Sequence, residues 1–82
     1  MKQKQIEYFI IKVPGGQYGY YIMVDGGMYI EQKTIPAISG NKGFATKEEA
    51  EKIAKLVVTK ILEGELPPTI SVEELKEMGI SF

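Results

Sequence analysis

Apolar and polar positions change their spacing twice along the chain. From Ile6 to Val13, "IEYFIIKV" is rich in β-branched and aromatic residues and predicts a strand. "PGGQ" (Pro14 to Gln17) carries turn chemistry, because proline presets one φ angle and glycine accepts a positive one. "YGYYIMV" (Tyr18 to Val24) predicts a second strand, "DGG" (Asp25 to Gly27) a tight hairpin and "MYIEQKT" (Met28 to Thr34) a third strand. Links this short make the three an antiparallel meander.

Beyond Thr46 the spacing becomes helical. Thr46-Lys47-Glu48-Glu49 has the form of a capping box. Ala50, Ile53, Ala54, Val57, Ile61 and Leu62 follow as one apolar stripe, widened by Leu56 and Val58. Glu48–Lys52 and Glu51–Lys55 are spaced as i, i+4 ion pairs, and Gly64 marks the C-terminal stop. "LPPT" (Leu66 to Thr69) breaks the helix. A second capping box, Ser71-Val72-Glu73-Glu74, opens a short helix flanked by Ile70 and Leu75 at the staple positions. Gly79 supplies its end, with Ile80 folding back on Leu75. The expected architecture is one α+β domain of order βββαα: a three-stranded antiparallel meander, one long helix packed on one face and a short C-terminal helix.

Strand residues alternate between the faces of a sheet. Phe9, Ile11, Val13, Tyr20, Ile22 and Val24 fall on one face with Met28 and Ile30, a set suited to burial under the long helix. The opposite face collects Tyr8, Ile10, Tyr21, Met23 and Tyr29. These five are not the polar surface of an antiparallel sheet facing water. Three accounts fit such a face: the Ile35–Phe44 loop or a terminal segment covers it, a second copy of the chain packs on it, or a partner binds it. Tyrosine suits the last two, joining apolar area to a polar tip.

The connection from Ile35 to Ala45 is apolar and glycine-rich together. Ile35, Ile38 and Phe44 are expected to anchor it inward, and Gly40 and Gly43 to take backbone angles closed to other residues. Gly40, Asn41, Lys42 and Gly43 also lie just before a helix N-terminus. There they form a candidate anion-binding turn, the alternative functional reading. The phosphate-loop pattern is missing, and Glu48 and Glu49 would repel an anion.

Composition narrows the chemistry. The 82 residues contain no cysteine and no histidine. His-based triads, Cys–His pairs and the usual zinc ligands are therefore out of reach, and no metal, cofactor or catalytic residue is expected. All ten basic residues are lysine, against eleven acidic ones. The missing arginine and the near-zero net charge count against a nucleic-acid partner. No run approaches the roughly 20 apolar residues of a membrane span, and none near the start reads as a signal peptide. A chain this short buries only about 60–65% of its unfolded surface, so association with a copy of itself or with another protein would add stability.

One set of residues carries a resemblance: Gly19-Tyr20, Asp25-Gly26, Gln32, Ile35-Pro36-Ala37, Gly40-Asn41-Lys42-Gly43-Phe44, the helix "EEAEKIAKLVVTKI" and Pro67-Pro68-Thr69. Together they resemble a family of short, uncharacterised Bacteroidetes proteins known only as a domain of unknown function. The resemblance covers Tyr18 to Ile80. It implies no activity and no catalytic residue, and it implies an exported, periplasmic or envelope location. A fainter similarity is to the βββα DNA-binding modules that precede some phage-type integrases, which lay a basic sheet in the major groove. The expected role is a non-catalytic interaction or structural module of the bacterial envelope.

Overall fold

The computed structural model describes residues 5–82. Its strands are β1 (Ile6–Val13), β2 (Gln17–Val24) and β3 (Gly27–Gln32), and its helices α1 (Lys47–Leu62) and α2 (Val72–Glu77). The sheet order is β1-β2-β3 with both pairings antiparallel, so the βββαα meander expected from the spacing is the observed fold.

The two hairpins set which residues share a face. Asp25 and Gly26 both have positive φ, 51° and 82°, which gives the two-residue turn that matches strand twist. Between β1 and β2 the connection is only Pro14, Gly15 and Gly16, because Val13 pairs directly with Gln17. A four-residue "PGGQ" turn would instead pair Val13 with Tyr18. That one-residue difference moves all of β1 to the other face. Ile6, Tyr8 and Ile10 therefore stand opposite Val24, Ile22 and Tyr20 on the helix side, and Phe9 stands opposite Tyr21 on the outer side. The expected placement of Tyr8 and Ile10 on the outer face is wrong, as is that of Phe9, Ile11 and Val13 beneath the helix.

A bulge lies between Ile22 and Met23, where Ile22 pairs with Ile30 but Met23 pairs with Met28. Tyr29 is the extra residue. Met28, expected under the helix, therefore joins Met23 on the outer side.

α1 begins where Thr46 Oγ1 accepts the Glu49 N–H at 3.1 Å. The box closes on one side only. The Glu49 carboxylate turns away and accepts from Ser81 N–H and Oγ–H at 3.2 and 3.0 Å, holding the C-terminal tail to the first turn of α1. Ala50, Ile53, Ala54, Val57 and Ile61 are buried as the stripe predicts. Leu62 is exposed, since it steps off the stripe after Ile61. Neither i, i+4 ion pair forms among the described residues. Glu51 accepts from Tyr8 instead, and Lys52 donates to the Met78 carbonyl at 3.3 Å.

α2 has the complete reciprocal box: Ser71 Oγ accepts the Glu74 N–H at 3.1 Å and Glu74 Oε1 accepts the Ser71 N–H at 2.9 Å. Gly79, at φ 74°, lets Ile80 N–H reach the Leu75 carbonyl at 3.0 Å, and both side chains are buried. Ser71→Ala should cost about 1 kcal/mol, read as a lower denaturant midpoint. Thr46→Ala should cost less, because its box is half formed.

Lys60 joins α1 to the linker and to α2. Its ammonium lies 2.7 Å from Glu74, 3.7 Å from Glu65 and 2.6 Å from the Thr69 carbonyl it donates to. The Lys60 hydrogen bond, followed by the Ser71 backbone N–H, holds the Glu74 carboxyl below its usual value of 4.5. A folded-state value below the unfolded one adds stability above about pH 4.5, lost as pH falls through the folded value. Conversely, Glu74 holds the Lys60 ammonium above 10.5, so that stability is lost only as pH rises beyond it. Glu74→Gln should flatten the acid limb of a stability-against-pH curve relative to the native chain.

Candidate interaction surface

Two layers of side chains leave the sheet. The inner layer packs under α1 in one core with Tyr20, Ile22, Ile35, Phe44, Leu75 and Ile80 buried. Tyr20 and Phe44 rings meet at 6.1 Å between centroids. Burial pushes the Tyr20 phenol well above its usual value, so the ring stays neutral. Tyr8 is part of this layer. Its hydroxyl donates to Glu51 Oε2 at 3.0 Å, and desolvation, then that bond, raises its own pKa.

The outer layer is Phe9, Ile11, Val13, Tyr21, Met23 and Met28, with Glu7 and Glu31 at its margins. Phe9 is 50% exposed, Met28 52% and the bulged Tyr29 44%; Tyr21 and Met23 are half-buried. Of the five side chains that alternation assigned to this face, Tyr21 and Met23 lie on it, and Tyr29 stands at its bulge. Tyr8 and Ile10 do not. Phe9 and Met28 are the residues that sequence reasoning missed; the length of the Pro14–Gly16 turn was the signal for Phe9 and that of the Asp25–Gly26 turn the signal for Met28.

The Ile35–Phe44 loop covers one end of this layer. After β3 the chain crosses Gly19 so closely that a Cβ there would stand 2.4 Å from the Gln32 carbonyl oxygen. Gly43 similarly lies against Val13, Gln17 and the Tyr18 carbonyl. Ile35 and Phe44 are buried and Ile38 packs on the core, so the three expected anchors do anchor the loop. Phe44 and Tyr18 exchange backbone hydrogen bonds of 2.8 and 2.9 Å, continuing the lane that β3 leaves. Phe9, Tyr21, Met23 and Met28 lie at the opposite end, and two of them are half-exposed.

Part of the backbone at the Gly40–Asn41–Lys42–Gly43 turn is already engaged within the fold. Gly43 N–H donates to Gln17 Oε1 at 2.9 Å, Phe44 N–H to the Tyr18 carbonyl, and the Lys42 carbonyl accepts from Ile35. Gly40 has the expected positive φ, 104°. Gly43 does not; it is glycine because the neighbouring strand leaves no room for a side chain.

No helix among the described residues is long and apolar enough to cross a membrane. Neither the curated proteins nor the solved structures contain a match to this chain. A family model does match, over residues 10–77, from the middle of β1 to the end of α2. The chain therefore belongs to the family described as domain of unknown function DUF4907.

Proposed function

We propose that this chain is a non-catalytic interaction module that associates with a second copy of itself through the outer face of its sheet. The observation that carries the proposal is the half-exposure of Phe9 and Met28 on one face with Tyr21 and Met23, beyond the reach of the loop. Aromatic residues and methionine mark protein interfaces. The margins carry both signs, with Glu7 and Glu31 against Lys33, and the net charge is only −1, so copies meet without strong repulsion.

Area sets the strength. Six strand residues by three strands give a footprint of about 300 Å². A standard interface takes about 800 Å² from each partner. The association is therefore weak and concentration-dependent. A DNA-binding role fits poorly, since this face presents Glu7 and Glu31 while Lys12 sits in the helix-side register. The resemblance to exported Bacteroidetes proteins supports a place for the module in the bacterial envelope.

Sedimentation velocity over two decades of concentration tests the proposal. The native chain should shift from monomer toward dimer. Phe9→Lys and Tyr21→Lys should remain monomeric with unchanged circular dichroism. A native chain that is monomeric throughout, or variants that associate as it does, would overturn it.

A further inference from the structure

β1 is an edge strand, and among the described residues its outer side pairs with nothing. Which of its backbone groups face outward follows from two observations. Asp25 N–H donates to the Gln5 carbonyl, and Tyr18 exchanges its hydrogen bonds with Phe44 on the far side of β2. Odd-numbered residues of β1 and β2 therefore bond to one another, and the even-numbered residues of β1 do not. Ile6, Tyr8, Ile10 and Lys12 thus turn their N–H and C=O groups to the open edge. Their side chains belong to the helix side of the sheet.

At the Lys12 end of this edge, β1 and the start of α1 enclose an open cavity of about 180 Å³, lined by Ile10, Ile11, Lys12, Tyr18 and Lys47. Two of the five lining residues are cationic and none is acidic. Along α1, Glu51, one turn after Lys47, is already engaged by Tyr8.

We propose that the β1 edge takes up an extended acidic peptide by strand addition, with a carboxylate side chain of the peptide in the cavity lined by Lys12 and Lys47. An added strand would exchange backbone hydrogen bonds with Ile6, Tyr8, Ile10 and Lys12, and its residue opposite Lys12 would point to the helix side. A carboxylate there meets both lysines. The residue two positions along lies opposite Ile10 and is apolar. The recognised pattern is an acidic and an apolar residue at i, i+2 in an extended segment.

A second copy of this chain does not meet that requirement. Antiparallel pairing of two β1 edges keeps same-face residues opposite one another, so Lys12 would face Ile6, Tyr8 or Ile10 of the copy. Glu7, the single acid of β1, is on the other face. The site is also separate from the outer face, so the two proposals fail independently.

The probe is an end-blocked seven-residue peptide alternating threonine with valine, one valine replaced by glutamate, titrated into the ¹⁵N-labelled chain. The amides of Ile6, Tyr8, Ile10 and Lys12 should shift and become protected from exchange, while those of Glu7, Phe9 and Ile11, already bonded to β2, change little. The glutamine counterpart, and the Lys47→Glu chain titrated with the glutamate peptide, should each bind about fivefold more weakly. Lys47 opens α1, where an acid suits the helix dipole, so Lys47→Glu keeps the fold. Three results would overturn the proposal: no shift at millimolar peptide, equal affinity for the glutamate and glutamine peptides, or protection of the even-numbered amides that rises with protein concentration alone.

Discussion

Phe44→Ala is expected to lower stability by about 3–5 kcal/mol, most of what a domain of this size possesses. The ring is fully buried, packs on Tyr20 and stands where the chain enters α1. Its loss leaves a cavity that the sheet cannot close, because Phe44 is held by its backbone to Tyr18. Each kcal/mol corresponds to about 4–8 °C in a domain of this length, so the melting temperature should fall by about 12 °C or more. Phe44→Leu, which keeps most of the volume, should lose about a third as much. Thermal melts of the two variants check both figures, and a fall of under 5 °C for Phe44→Ala would remove Phe44 from the centre of the core.

The second large effect is expected at Gly19. Alanine there places a methyl group 2.4 Å from the Gln32 carbonyl oxygen and 3.0 Å from Lys33 Cα. Both are backbone atoms of the strand exit, so no side chain can move aside. Either the loop lifts from the sheet or β2 bends, at about 2–3 kcal/mol. Gly27→Ala is the control. Its added Cβ meets only the Val24 carbonyl, at 3.6 Å, and should change stability by less than about 0.5 kcal/mol. Chemical denaturation of the two variants separates crowding from the general cost of replacing glycine in a strand.

Element order and helix ends are legible in this sequence because their signals are local. Ser71 with Glu74, Gly79 with Ile80 and the stripe from Ala50 to Ile61 each involve residues within a few positions of one another, and each appears in the structure. The faces of the sheet were not legible in the same way. They depend on whether Val13 meets Gln17 or Tyr18, one residue of turn length that "PGGQ" does not determine by composition. The bulge that releases Tyr29 depends likewise on pairing across strands. Glu49 and Glu51 found partners remote in sequence, Ser81 and Tyr8, where local spacing suggested a capping box and a lysine. The candidate surface was therefore half readable: Tyr21 and Met23 from alternation, Phe9 and Met28 only from register.

That register is open to one decisive measurement. In a solution NMR spectrum with a soluble paramagnetic agent, the Phe9 ring and the Met28 methyl should broaden strongly. The Tyr20 ring and the Ile22 methyls should stay sharp and the Tyr8 ring should broaden less than Phe9, with Hα–Hα contacts joining Tyr8 to Ile22 and Ile10 to Tyr20. A spectrum in which Tyr8 and Ile10 broaden while Phe9 is protected would mean that β1 is turned over, and the outer face described here would not exist.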